Sequence, residues 1–263
     1  MPFHQPDAIR YLTFDVFSEY PLTHAVFTRQ GGVSPKPWDS LNVGGLRGDD
    51  PQHVLQNRIL SFLTVGRDHE SVYDVWQVHS NDVIVTDGRR PPNVPHRKAD
   101  AILTDRPEVT LFMRFADCVP ILLYDPICQA IGIIHAGWLG TVGDIVSETI
   151  RTMISVYRTK PVNILAAIGP SIAAHHYFVG QEVIDAVQKA FKDKANDFLP
   201  ASNNGVQFDL WAANEYLLRK NGVRVIENPR ICTACNLDDW YSHRGEKGRT
   251  GRFGVLLALE SGR

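Results

Sequence analysis

Apolar residues recur at helical spacing in four parts of the chain. The first part includes Leu55, Ile59 and Leu63, which are four residues apart. Asp50 is placed to cap the first turn of this segment, and Pro51 stands at the first helical position, where its missing N–H costs nothing. The pattern therefore predicts a helix that begins at Pro51.

Three further segments have the same periodicity. Residues 143–157 and 183–191 each carry an apolar stripe. A third stripe runs through 210–218, where Asp209 is placed as a cap and the Asn-Gly pair at 221–222 ends the pattern. Each of these segments is predicted to be a helix.

Short, continuously apolar runs predict the strands. The runs 72–79 and 82–87 are interpreted as one β pair, and 110–115 and 119–124 as another. The run 130–134 is short and uniformly apolar, as expected of a buried strand.

The order of these elements indicates the fold class. A helix at 143–157 between the strands 130–134 and 162–169 forms a β-α-β unit, whereas 194–205, with Pro200 and several polar residues, is predicted to be a loop. Interleaved strands and helices indicate a mixed α/β or α+β fold.

Composition and charge restrict the class of partner. The chain has 263 residues, with 27 Lys plus Arg against 29 Asp plus Glu, so no basic field recruits nucleic acid or an anionic membrane. No stretch approaches the roughly 18 apolar residues of a membrane span, and the first residues do not have the pattern of a secretory signal. We therefore expect a cytoplasmic protein with a small-molecule partner and no membrane or nucleic-acid partner.

The four cysteines do not suggest a disulfide framework, because a chain of this length can bury a core without such cross-links. Cys232 and Cys235 form a Cys-x-x-Cys pair. A single pair of this kind, with no second pair and no thioredoxin-like context, is a weak indicator of redox or metal chemistry.

Three residues at the ends of β-like runs are candidate metal ligands: His79, Cys118 and His135. Two nitrogens and one sulfur suit zinc, and three protein ligands without an obvious fourth are typical of a catalytic rather than a structural site. The same donors also resemble those of blue copper. Spacing alone leaves a structural role open, because the three residues match no compact zinc motif.

An ordered series of motifs runs from Phe27 to Gly251: FTRQGGVS, SLNVGG, QVHS, ADAILTD, ADCVPILLYDP, HAGW, IGPSI and SHRGEKGRTGR. This series resembles the YfiH-like, or laccase-domain, family. The resemblance implies one domain spanning 1–263, built of mixed β-sheets packed between helices. It also implies that the zinc ligands are His79, Cys118 and His135.

The same resemblance implies an activity. It indicates zinc-dependent phosphorolysis of adenosine, inosine, guanosine and methylthioadenosine to the base plus ribose-1-phosphate, together with deamination of adenosine. The expected partners are purine nucleosides and phosphate, and the expected state is a monomer or small homo-oligomer. The alternatives are copper-dependent polyphenol oxidation and a non-catalytic or editing role on peptidoglycan precursors. Copper is less expected than zinc, since the chain has no His-x-His pair.

Candidate substrate contacts come from the glycine-rich segments and from arginines that can bind phosphate. These residues are Arg29, Asn42, Gly137, Trp138 and Arg244. Each has a structural alternative, as a turn residue, a lid over the core or a solvated surface residue.

Asp117 precedes Cys118 and is a candidate for proton transfer, although it could instead accept a hydrogen bond from a metal-bound histidine or cap the turn. Cys118 and His135 complete the predicted catalytic set.

The chain departs in three places, four residues in all, from the pattern of the family that it resembles. They are Leu139 in place of arginine, the pair 175–176 (His-His) in place of Cys-Cys, and Phe178 in place of glutamate. The two imidazoles could bind substrate or approach the metal. Because neighbouring side chains on an extended strand point to opposite faces, at most one of them is expected to do so if the segment is extended.

Overall fold

The computed structural model describes residues 1–45 and 48–260. The helices in these residues are α1 (Pro51–Thr64), α2 (Trp138–Val142), α3 (Ile145–Tyr157), α4 (Gln181–Phe191), α5 (Ala195–Phe198) and α6 (Leu210–Lys220).

The strands in the same residues are β1 (Phe3–His4), β2 (Tyr11–Leu12), β3 (Leu22–Phe27), β4 (Val72–Tyr73), β5 (Val83–Val85), β6 (Ala101–Thr104), β7 (Thr110–Phe115), β8 (Val119–Asp125), β9 (Ala130–Ala136), β10 (Leu165–Ile168), β11 (Ala201–Ser202), β12 (Gly205–Val206), β13 (Val225–Glu227) and β14 (Phe253–Leu259).

Two six-stranded mixed sheets dominate the fold. The first sheet has the strand order β1-β2-β3-β14-β7-β4, and the second has the order β13-β10-β8-β9-β6-β5. In each sheet most neighbours are antiparallel, but β4 is parallel to β7, β5 to β6, and β13 to β10. A small hairpin of β11 and β12 lies apart from both sheets.

Buried hydrophobic clusters lie between the layers of sheets and helices in the fold. One buried cluster combines residues of both sheets, among them Leu257 of the first and Ile133 of the second, so the two sheets pack face to face. A second cluster joins the other face of the second sheet to α3, α4 and α6, and a third joins the first sheet to Phe62 of α1. The expected arrangement, mixed sheets packed between helices, is confirmed.

The capping signals predicted from sequence are confirmed. The Asp50 carboxylate accepts a hydrogen bond from Gln52 N at the start of α1, and Asp209 accepts one from Ala212 N at the start of α6. The helix expected from residue 143 begins slightly later, at Ile145 of α3, and is preceded by the short helix α2. Strands β9 and β10 both pair antiparallel with β8, so they are parallel to each other and complete the predicted β-α-β unit.

The face of α1 that is buried is not the face predicted from the spacing of Leu55, Ile59 and Leu63. Leu55, Ile59 and Leu63 are exposed, whereas Asn57 is fully buried. The Asn57 amide donates to Ser34 Oγ and to the carbonyls of residues 40 and 42, while its oxygen accepts from Val33 N. Hydrogen bonds to the preceding loop therefore orient the helix.

Both predicted β pairs were wrong. Strand β4 lies in the first sheet and β5 in the second, and the same separation applies to β7 and β8. The chain crosses from one sheet to the other at each junction, because consecutive apolar runs here face a shared interior from opposite sheets. The predicted loop at 194–205 is also partly regular, with α5 and the strand β11 inside it.

No helix among the described residues is both long and apolar enough to span a membrane.

The Asp50 cap offers a test of the fold. We expect Asp50→Ala to lower the free energy of unfolding by about 1 kcal/mol, because the first turn of α1 loses the acceptor for Gln52 N. Urea denaturation measures this change. The matched control is Asp7→Ala, at an exposed position, which should shift the value by less than about 0.5 kcal/mol. Equal effects from both variants would contradict a role for the cap.

Candidate active site

The three predicted metal ligands meet at one edge of the second sheet. In the antiparallel β8–β9 pair, Pro120 lies opposite His135, so Cys118, just before β8, comes next to the end of β9. Strand β5 runs parallel to β6, and the loop that carries His79 ends just before β5. Strand pairing therefore brings together residues that are far apart in sequence.

His79, Cys118 and His135 form a compact donor group. Their ligand atoms all lie within 4.8 Å of one another. Cys118 Sγ is 3.8 Å from His79 Nε2, and the two imidazole centroids are 4.9 Å apart. Among the residues that the structure describes, no fourth His, Cys, Asp or Glu joins this group. The donor set thus suits a metal ion with a coordination position left for substrate or water.

Asp100 holds this group together. Its Oδ1 is 2.8 Å from His135 Nδ1, which leaves Nε2 as the nitrogen available to a metal. Its Oδ2 accepts hydrogen bonds from Ser80 N at 2.6 Å and Val78 N at 3.2 Å, the residues on either side of His79. One buried carboxylate therefore orients one ligand and fixes the loop of another, as is typical of carboxylates behind metal-binding histidines.

The local electrostatics favour a thiolate. Burial raises the pKa of the Cys118 thiol, but the nearby imidazoles of His135 and His79 outweigh this effect and bring the pKa below its ordinary value. Burial lowers the pKa of His135, but Cys118 and Asp100 outweigh it and raise the pKa. The thiolate is the form of cysteine that binds metals.

One member of the donor group and the residue before another member have left-handed backbone conformations. His79 has φ +63° and Asp117 has φ +83°. Residues other than glycine rarely adopt such positive φ angles, and backbone strain of this kind is concentrated at functional sites. Here it lies at one metal ligand and at the residue that precedes another.

Gly137 packs directly against two of the ligands. A Cβ atom at this position would lie 2.9 Å from His79 Cδ2 and 3.0 Å from Cys118 Sγ. The sequence predicts Gly137 as a substrate contact. The structure adds a steric requirement for glycine, since the imidazole and the thiol occupy the space of a side chain.

The donor group opens into a cavity of about 470 Å³, which we call the main cavity. This volume is within the usual range for small-molecule sites. The lining residues are Gly44, Gly45, Trp76, Gln77, His79, Arg114, Ala116, Asp117, Cys118, His135, Gly137, Trp138, Leu139, Ile172, Tyr177, Leu210, His243, Arg244 and Arg252.

The main cavity contains several of the residues that we predicted to contact substrate. Gly137, Trp138 and Arg244 line it. The Arg244 guanidinium lies 5.0 Å from the centroid of the Tyr177 ring, and its Nη1 donates to the Phe178 carbonyl at 2.9 Å.

Arg29 and Asn42 are not among the described residues that line the main cavity. The Arg29 guanidinium donates to the Leu237 carbonyl and to Glu246, and it lies over the Tyr241 ring. Through these contacts the Arg29 guanidinium holds separate loops together.

Asn42 is fully buried and serves as a turn residue. Its Oδ1 accepts from Gly44 N and Arg252 N, and its amide donates to Asp49. Within the described residues, the hydrogen bonds of its side chain thus run to other parts of the protein, in accord with the structural alternative.

Asp117 lines the main cavity, and its carboxylate holds other residues of the cavity wall in place by hydrogen bonds. It accepts hydrogen bonds from Thr233 Oγ1 and Ser242 Oγ, both at 2.7 Å, and from Arg244 N at 2.6 Å. The carboxylate that accepts from a ligand histidine is Asp100 instead. Sequence reasoning missed Asp100 although it lies in the motif ADAILTD, because an aspartate before a strand does not reveal which histidine it will face.

Sequence reasoning also missed several other residues of the cavity wall. Trp76 and Tyr177 add aromatic rings, and Arg114, His243 and Arg252 add basic groups. Leu139, one of the positions that differ from the family pattern, lines the cavity and is exposed. The one indication in the sequence was the basic segment SHRGEKGRTGR, which contributes part of this wall.

The two adjacent histidines lie elsewhere. His175 and His176 belong to a 3-10 turn, so the alternation of an extended strand does not apply to them. Both imidazoles lie beside Cys232 and Cys235, and neither lines the main cavity. Neither of them joins the first donor group, within the limit of at most one that was set for an extended segment.

Comparison with known proteins places this site in a family. The family model described as "Multi-copper polyphenol oxidoreductase laccase" matches residues 23–260. The chain belongs to this family. The description of the family model refers to polyphenol oxidation, whereas the curated relatives are named for a different chemistry.

Two full-length relatives are named as purine nucleoside phosphorylases. The protein from Bacteroides thetaiotaomicron with that name is 34% identical, over 94% of this chain and 96% of its own. "Purine nucleoside phosphorylase YlmD" from Bacillus subtilis is 36% identical, over 89% and 87%.

A solved structure of a family member has the same fold. The crystal structure of the Bacillus licheniformis hypothetical protein YfiH aligns with a TM-score of 0.90 at 30% identity. The alignment covers 98% of this chain and 99% of the other. The mixed α/β fold therefore extends over essentially the whole length of both proteins.

Asp100 can be tested through metal affinity. We expect Asp100→Asn to weaken metal binding about 10- to 100-fold, because His135 loses its charged partner and the loop at His79 loses its anchor. Competition with a chromogenic chelator measures the change. Asp82→Asn, at an exposed aspartate near the same loop, is the control and should bind metal as the wild type does. Unchanged affinity in the Asp100 variant would contradict this role.

Gly137 provides an independent steric test. We expect Gly137→Ala to reduce metal affinity at least about tenfold, because the added methyl displaces His79 or Cys118. Gly88→Ala is the matched control, since a Cβ there meets no atom within 4 Å. The same chelator competition applies, with circular dichroism to verify folding. A well-folded Gly137 variant that binds metal normally would show that the ligands tolerate displacement.

Proposed function

We propose that this chain cleaves purine nucleosides by phosphorolysis in the main cavity, with zinc held by His79, Cys118 and His135. The observation that carries the proposal is the position of this three-donor group in the wall of a nucleoside-sized cavity that is rich in basic and aromatic side chains. The names of the full-length relatives support the same reaction class.

The shape and lining of the cavity suit a nucleoside. Trp76, Trp138 and Tyr177 offer flat apolar surfaces for a purine ring. The cavity volume of about 470 Å³ is sufficient for a small ligand with a phosphate beside it.

The charge of the wall suits the second substrate. Arg114, Arg244 and Arg252 line the cavity, and Asp117 is the one carboxylate among the described lining residues. Since Asp117 already accepts hydrogen bonds from two hydroxyl groups and a backbone N–H, it competes little for the arginines. Guanidinium groups match the geometry of phosphate oxygens, so the cavity favours an anionic ligand.

The donor set fits zinc. Two imidazole nitrogens, one sulfur with a lowered thiol pKa and a carboxylate behind His135 are the usual components of a catalytic zinc site. When bound, zinc would supply Lewis acidity that polarises a substrate oxygen or activates a water molecule.

The residues of the chain would position the reactants. In phosphorolysis a phosphate oxygen forms a bond to C1′ of the ribose, the bond from C1′ to the purine nitrogen breaks, and the base leaves with the electron pair and takes up a proton. We assign Arg244 and Arg252 to the phosphate and Trp138 to the base. Holding the two substrates in one cavity removes much of the entropic barrier to their reaction.

The proposed substrates are adenosine, inosine, guanosine and methylthioadenosine. Deamination of adenosine is proposed as a second activity of the same site. It is supported by the three-donor group, which leaves a coordination position for water.

Copper-dependent oxidation of phenols is the competing function, because the name of the matching family model refers to it. The donor group also fits one blue-copper centre. Reduction of oxygen by a laccase requires a cluster with many more imidazoles, and the sequence has no His-x-His pair. These observations favour the purine reaction.

Product analysis distinguishes the activities. With adenosine, we expect adenine and ribose-1-phosphate only when phosphate is present, and inosine without phosphate if deamination occurs. Cys118→Ala should lower kcat/KM for phosphorolysis at least about 100-fold, equivalent to roughly 2.7 kcal/mol, because the site loses its sulfur ligand. Chromatography of the products measures both outcomes.

The matched control is Cys128→Ala. Cys128 lies in the turn at the opposite end of the β8–β9 hairpin and should leave the activity unchanged. Oxidation of a phenol with consumption of oxygen, and no conversion of any of the four nucleosides, would replace the proposal with the copper function.

A further inference from the structure

A second group of metal-binding side chains lies outside the candidate active site. It consists of His175, His176, Cys232 and Cys235, whose ligand atoms all lie within 4.8 Å of one another. His175 Nε2 is 3.1 Å from Cys235 Sγ, and the two imidazole centroids are 4.7 Å apart. We call these four residues the Cys2His2 cluster.

The fold brings the two halves of this cluster together. Ser171 N donates to the Ile231 carbonyl and Thr233 N donates to the Ser171 carbonyl, so the segments run side by side. The 3-10 turn at Ala174–His176 then directs both imidazoles toward the Cys-x-x-Cys segment. The backbone therefore fixes the cluster independently of any ion.

We propose that the Cys2His2 cluster binds a structural zinc ion. Two thiols and two imidazoles form a complete tetrahedral set, and sites closed by four protein ligands are structural. Ligands of one such ion, at about 2.0 to 2.3 Å from it, lie roughly 3.3 to 3.8 Å apart. The separations within the cluster, 4.8 Å or less, require only small side-chain adjustments to reach this geometry.

The ion would stabilise one wall of the main cavity. Tyr177, which follows the two histidines, lines that cavity. Thr233, beside Cys232, donates to Asp117, and Ile172 N donates to the Asp117 carbonyl. A zinc ion in the Cys2His2 cluster would thus connect two segments that both contact the residue before Cys118.

The two proposed sites share no residue, so variants can empty them separately. Protein is saturated with zinc, freed of excess metal by gel filtration and measured by mass spectrometry. The wild type should carry two equivalents, and Cys118→Ala, Cys235→Ser and His176→Ala one each. The double variant with Cys118→Ala and Cys235→Ser should carry none. Cys128→Ser is the matched control and should retain both.

Cobalt provides a second readout that does not depend on the candidate active site. With one equivalent of Co²⁺, the Cys118→Ala protein should show the charge-transfer absorption of a tetrahedral centre with thiolate ligands. The additional change Cys235→Ser should remove most of this absorption. The His176→Ala change in the same background should shift it, and circular dichroism verifies that each variant folds.

Two results would overturn the proposal. One is full retention of zinc in well-folded Cys235→Ser and His176→Ala proteins. The other is a disulfide between Cys232 and Cys235 in protein purified under reducing conditions, detected by alkylation and mass spectrometry, with no cobalt absorption in the Cys118→Ala variant. If only the Cys118 variant lost zinc, the result would support zinc at His79, Cys118 and His135 and would exclude zinc at the Cys2His2 cluster.

Discussion

The Asp100 carboxylate is the contact on which the candidate active site depends. One oxygen faces His135 and the other accepts the backbone N–H groups on either side of His79. Burial raises the pKa of the Asp100 carboxyl, but the hydrogen bonds from its partners outweigh burial. The pKa therefore lies below its ordinary value, and the charged form is favoured. Strands β5, β6 and β9 must pair correctly for these contacts to exist, so the core of the second sheet supports the chemistry directly.

The cavity wall depends on a second carboxylate in the same way. Asp117 binds Thr233, Ser242 and the backbone of Arg244, which come from a distant part of the chain. These bonds hold Arg244 in the wall of the main cavity, which the three candidate metal ligands also line. The candidate metal centre and the proposed phosphate contacts are thus joined through one short segment, Asp117 and Cys118, between the two sheets.

The three candidate ligands are compatible with both chemistries to which the names in this family refer. His79, Cys118 and His135 could bind zinc or one copper ion, so the ligands alone do not select the reaction. The surrounding wall distinguishes the alternatives, since arginines and aromatic rings suit a nucleoside and phosphate, whereas oxygen reduction requires further imidazoles. The histidine pair at 175–176 does not supply them, because it lies with Cys232 and Cys235.

The sequence by itself determined helix boundaries and caps, and it identified the three candidate donors that the structure brings together. Caps such as Asp50 and the periodicity of α6 are properties of neighbouring residues, and the motif series predicted the ligands and the layered fold. Strand partners could not be predicted, because an apolar run does not specify which sheet completes its burial. Arg29 and Asn42 have the right chemistry for substrate, but tertiary contacts direct both elsewhere. Only the folded chain decides that Asp100 faces His135 and that His175 meets Cys235, because side chains 35 and 60 residues apart become neighbours through strand pairing and turns.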